Sequence, residues 1–147
     1  MKKLSVAEVG YLAHALVREL MDYDEPIPDF DTRYPHKLEA CLEQPFQQFD
    51  GHKQYPTVEE KSAILFYSVI KNHPFVNGNK RMAVAILLVW LFKNNFWVKV
   101  TNETLYEIAI AVAESPASDR NKVLKSLQIL FRETTYKKKS PGSAWLR

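Results

Sequence analysis

Residues 82–92 form an unbroken run of eleven apolar residues, from Met82 to Phe92. The run is too short to cross a bilayer, which takes about 20 residues in a helix. It reads as a helix buried all round at the centre of a small domain. The chain of 147 residues suits one domain with a core of ordinary size.

The segment before this helix is also apolar. Thr57 is followed three residues later by Glu60, the capping-box pattern of a helix start. Ala63 to Ile70 then continues almost without a polar break. That helix must stop near Asn72, because His73 precedes Pro74 and is pushed out of the helical region. Residues 73–81 read His-Pro-Phe-Val-Asn-Gly-Asn-Lys-Arg. They form a loop that opens the most buried helix of the fold.

This loop concentrates the chemistry of the chain. The first turn of a helix carries unpaired N–H groups and partial positive charge. Gly78 permits close backbone approach. Lys80 and Arg81 add two charges at the same end, where the dipole disfavours cations. Taken singly, a helix-end His, a turn Asn and a Gly are ordinary structural residues. Cations at a helix start make most sense with an anion between them, so the run reads as a phosphate site. His73, an imidazole able to take up a proton, faces it from the other end of the loop. A base opposite a phosphate cradle points to transfer of a phosphate-containing group to a hydroxyl.

The rest of the chain organises around this core. Ser5 and Glu8 form a second capping box, followed by Val9, Leu12, Ala13, Leu16, Val17 and Leu20 at helical spacing. That spacing puts His14 towards the polar side. Residues 22–34 hold two prolines and five carboxylates and read as a loop. A short helix follows Pro35. Residues 94–100 are a turn with a short extended piece. Leu105, Ile108, Ala109 and Val112 line one face of the next helix, which Ser115-Pro116 breaks. Ser118 is expected to cap a last helix with Val123, Leu127, Leu130 and Phe131 facing inwards. The fold class expected is all-α, about six helices and one hairpin, with no internal repeat. A single domain over residues 1–136 and a basic tail over 137–147 follow.

Charge and cysteine usage set limits. The formal net charge of +3 is mild. Lys137-Lys138-Lys139 reads as a solvated terminus rather than a nucleic-acid patch, so no direct nucleic-acid binding is expected. The single cysteine, Cys41, rules out an internal disulfide and fits a reducing cytoplasm. It has no His or Cys neighbour at metal spacing. The first residues lack the apolar core of a signal peptide, and no membrane association is expected.

The run at residues 73–81 resembles the signature of the Fic/Doc superfamily, His-x-Phe-x-acidic-Gly-Asn-(Gly or Lys)-Arg. The likeness extends through Gln44-Pro45-Phe46, Tyr55-Pro56-Thr57-Val58-Glu59-Glu60-Lys61 and Lys71-Asn72, covering roughly residues 35–115. It is closest to the Doc, or death-on-curing, branch. AMP-transferring Fic enzymes usually have Gly where this chain has Lys80, and a second Arg where it has Val84. The resemblance therefore implies a Doc-type kinase, which transfers the γ-phosphate of ATP, rather than an AMPylation enzyme (an adenylyltransferase). A non-catalytic relative that binds a nucleotide or a partner is the third reading.

Site roles follow from that resemblance. His73 would be the catalytic base that takes the proton of a target Ser or Thr hydroxyl. Phe75 would anchor the loop. Gly78 and Asn79 would supply the anion hole, and Lys80 and Arg81 would bind phosphates. Asn77 would be the ligand to Mg²⁺, at a position where the superfamily mostly has Asp or Glu. The segment Phe46-Gln47-Gln48-Phe49-Asp50-Gly51-His52-Lys53-Gln54-Tyr55 carries an Asp-Gly turn pattern. In the family this region is a hairpin flap beside the active site that holds the target by strand addition. Phe46 and Tyr55 read as packing residues, and His52 as solvent-exposed rather than a second base.

Partners are implied in the same way. Doc proteins are toxins of toxin–antitoxin pairs, and their target is a translation factor, elongation factor Tu. The Ser/Thr-x-x-x-Glu-Gly/Asn motif of inhibitory helices does not occur in this chain. Restraint would then come from a small antitoxin protein in trans, docked on exposed faces of the first and last helices.

Overall fold

The computed structural model describes residues 1–20, 30 and 34–138. Most of the loop expected over residues 22–34, and the tail from residue 139, lie outside these.

Among the described residues there are six helical units and two small antiparallel ribbons. The first unit joins α1 (Val6–Glu8), a π turn (Val9–Ala13) and α2 (His14–Leu20) without interruption. The Ser5–Glu8 capping box starts it: the Ser5 hydroxyl accepts from the Glu8 N–H at 3.1 Å and the Glu8 carboxylate accepts from the Ser5 N–H at 3.0 Å. Next come α3 (Pro35–Glu43), a 3₁₀ turn (Gln44–Phe46) and the hairpin β1 (Gln48–Phe49)–β2 (His52–Lys53). The second capping box, Thr57 with Glu60, opens α4 (Val58–Asn72). After the loop come α5 (Asn79–Lys93), β3 (Phe96–Val98), α6 (Asn102–Glu114), α7 (Arg120–Thr134) and β4 (Thr135–Lys137).

The centre is α5, packed against α4, α6 and the N-terminal unit. Nearly every residue from Met82 to Leu91 is buried, as an all-round apolar sequence requires. Phe92 departs from the expected run: it is 62% exposed, with the Lys138 ammonium 3.3 Å from its ring centroid. α7 closes over α4 through an edge-on contact of Phe131 with Phe66, centroids 6.0 Å apart.

Three expectations need correction. The π turn inserts a residue into the helical ladder and rotates everything after it. Leu12 is thereby turned out to solvent, 51% exposed, and His14 is turned in, 7% exposed, against the ring of Phe30 at 5.6 Å. Asp119, not Ser118, occupies the N-cap position of the last helix, with no side-chain capping bond, and Ser118 lies within a 3₁₀ turn (Ala117–Asp119) before it. Finally, β4 was not foreseen. It pairs Lys137 with Phe96, Tyr136 with Trp97 and Thr135 with Val98, so Lys137 belongs to a ribbon.

Candidate active site

α4 delivers His73 to a fixed place because three consecutive segments around it are tied to different elements. The Lys71 ammonium donates to the Ala113 carbonyl at 3.3 Å and to that of Ser115, at the end of α6. These carbonyls have no partner within their own helix. The Asn72 amide donates to the Cys41 sulfur on α3 at 3.7 Å. The Pro74 carbonyl accepts from the Tyr34 N–H at 2.7 Å.

His73 itself is the C-cap of α4 and is left-handed, with φ 48° and ψ 61°. Its Cβ disfavours that region, and the following proline disfavours the helical alternative. The conformation turns the chain sharply out of α4 and leaves the imidazole exposed.

Beyond it the loop is clamped from inside. Phe75 is 5% exposed and packs on Phe30 at 6.1 Å between centroids. Asn79, also buried, accepts from the Phe75 N–H at 2.9 Å and donates to the Phe75 carbonyl at 3.0 Å. Gly78 is the N-cap of α5 with φ 73°, which a residue bearing Cβ would resist. No side chain caps this helix start. The N–H groups of its first turn are thus left without a side-chain cap at the positive end of the dipole.

The expected residues therefore meet in one loop but at different depths. His73 and Asn77 are exposed, Gly78 and Lys80 are half-buried, and Asn79 and Arg81 are buried. The Asn79 side chain is turned to the Phe75 main chain, so it holds the loop, and one amide N–H is left beyond that clasp. Arg81, 4% exposed, lies at the floor rather than the rim.

The expected flap is a two-residue ribbon closed by Asp50 and Gly51, both at positive φ (55° and 78°), the conformation of a tight hairpin turn. Its middle is exposed, with Phe49 79% accessible. Its ends pack as expected: Phe46 lies edge-on to Trp90 at 6.4 Å and Tyr55 is buried. The hairpin is rooted at the start of α4, while His73 caps the other end of that 15-residue helix. The root and His73 are thus one helix length apart, about 22 Å.

The sequence profile of the Fic/DOC family matches residues 3–91. The chain belongs to the Fic/DOC family. No curated protein and no solved structure matches it. The match takes in α1 and α2, which the motif likeness left out, and stops at Leu91, short of residue 115.

Fic/DOC proteins transfer phosphate-containing groups to other proteins, and the exposed His73 beside an uncapped helix start suits that class of chemistry. The metal fits less directly. Among the described residues no group of three or more His, Cys, Asp or Glu could hold a metal ion. Asn77 offers one neutral amide oxygen. Mg²⁺ commonly arrives on substrate phosphates with one or two protein oxygens, so the donor set fits a metal carried in by a nucleotide rather than one held beforehand.

Sequence reasoning missed two features. Gly10 lies in the π turn, and a Cβ there would stand 2.8 Å from the Phe30 ring. Gly10, His14 and Phe30 thus form a buttress behind Phe75. Long-range ring contacts leave no trace in local spacing. Asn79, by contrast, stands four residues after Phe75, a spacing that could have suggested the clasp. No helix of the described residues is long and apolar enough to cross a membrane.

Proposed function

We propose that this Fic/DOC domain is a protein kinase of the Doc type and acts as the toxin of a toxin–antitoxin pair. The observation that carries this reading is the environment of Val84. It lies at 0% exposure in the core of α5, where an adenylyl-transferring site would place a second arginine. The cation here is instead Lys80, at the first turn and half-buried. Cationic charge then gathers at the helix start and not one turn further in.

In this reading His73 accepts the proton of a target Ser or Thr hydroxyl. The hydroxyl oxygen bonds to the γ-phosphorus of ATP, the bond from that phosphorus to the β–γ bridging oxygen breaks, and ADP leaves. Lys80, Arg81 and the first-turn N–H groups stabilise charge on the phosphoryl oxygens. Asn77 would offer its amide oxygen to a Mg²⁺ carried by the nucleotide, whose charge would draw electron density from the phosphates. The target is a translation factor, elongation factor Tu by resemblance, held through main-chain pairing with the hairpin. Restraint comes from a small antitoxin in trans.

The exposed, neutral Asn77 favours one other reading, a relative that binds nucleotide without transferring it. Product analysis separates the possibilities. ADP formation that depends on a protein acceptor is expected; pyrophosphate release would mean adenylyl transfer, and nucleotide binding with neither product would mean a binding role.

A further inference from the structure

A cavity of about 240 Å³ lies at the foot of the hairpin, walled by Pro45, Phe46, Gln47, Gln48, Lys53 and Lys61, with Met1 closing one side. Lys61 is only 5% exposed. Its ammonium donates to the Tyr55 carbonyl and stands 5.7 Å from the Phe46 ring centroid. An ammonium has three N–H donors, so the carbonyl and the ring face leave one for the cavity. Lys53, on β2, lines the same space. Among the described residues neither lysine forms an ion pair with a carboxylate. Burial pushes the Lys61 ammonium below the ordinary lysine range, and the like charge of Lys53 pushes it further, against an opposing pull from the Glu60 carboxylate that does not cancel them. Two cations sharing one partly enclosed site are mutually unfavourable until an anion enters. The side-chain amides of Gln47 and Gln48 supply further donors.

The shape of the site selects the kind of anion. The cavity opens beside β1, and each strand of a two-stranded ribbon has an outer edge free to pair with another chain. A strand laid there projects alternate side chains to the ribbon face on which the paired Gln48 and Lys53 line the cavity. We propose that this cavity receives the carboxylate of an Asp or Glu side chain of the target polypeptide, held between Lys53 and Lys61. The inference rests on the hairpin being the target-docking element. It adds a specificity rule: the docked segment carries an acidic residue, one helix length away from the hydroxyl presented to His73.

The test needs no nucleotide. Two blocked peptides of alternating Val and Thr, identical except for one central Glu or Gln, are titrated into ¹⁵N-labelled protein. The Glu peptide is expected to bind about tenfold more tightly, with amide shifts at Gln47, Gln48, Lys53 and Lys61. Lys53→Ala, at an exposed site, should reduce that preference, and Lys61→Met should abolish it. Equal affinity for the two peptides, binding of neither, or shifts confined to residues 73–81 would overturn the proposal. Because binding is read without ATP, a failure of phosphoryl transfer would count against the kinase reading alone.

Discussion

Asn79 holds Phe75 at both main-chain atoms, accepting from its N–H at 2.9 Å and donating to its carbonyl at 3.0 Å. The first residue of α5 thereby fixes the loop that presents His73 and Asn77. Asn79→Ala should leave two buried main-chain groups unpaired and cost about 1–3 kcal/mol per group at most. Chemical denaturation measures the loss. Nucleotide affinity, read by calorimetry, should fall as well, since the loop would no longer be preshaped. A variant as stable and as tight-binding as the parent would remove the clasp from the account.

The buttress behind the loop predicts an effect at a distance. Gly10→Ala would put a methyl 2.8 Å from the Phe30 ring. Overpacking of this kind costs about 1–3 kcal/mol. Phe30 lies against Phe75, so the ring's displacement should also lower transfer activity beyond what the stability loss explains. Activity measured well below the melting transition separates the two effects.

Glu8 ties the N-terminal unit to the end of α5. Its carboxylate lies 2.7 Å from the Lys93 ammonium. The hydrogen bond from Lys93, with that from the Ser5 main chain, holds it below the usual glutamate range. A depressed carboxyl stabilises the fold above its unfolded value, about 4.3, and that contribution is lost as pH falls through the folded value. Stability of the parent should therefore decline on acidification in this window. Glu8→Gln should show a flatter acid limb, checked by denaturant midpoints across pH.

Cys41 is fully buried, and burial pushes its thiol up. The thiolate is the reactive form. Thiol reagents at neutral pH should leave the native protein unmodified and react fully once it is unfolded. Rapid labelling of the native state would show that α3 opens locally.

Much of this fold could be read from residue order because its instructions are local. Two capping boxes mark helix starts at Ser5 and Thr57, Pro74 marks the end of α4, and the run from Met82 names the central helix. The site loop was legible for the same reason, since its residues are contiguous. What escaped depends on contacts between distant segments. The π turn that turns His14 inwards exists where Gly10 admits the ring of Phe30. Strand β4 forms only because β3 lies beside it. The depth of Arg81, and the rooting of the hairpin a helix length from His73, likewise follow from packing.

Label transfer tests the central claim most directly. The protein and its His73→Ala variant are incubated with Mg²⁺, a bacterial lysate and ATP labelled at either the γ or the α position. A lysate protein labelled only from the γ position, and not labelled by the variant, is the predicted result. Label from the α position, or γ label undiminished in the variant, would contradict it.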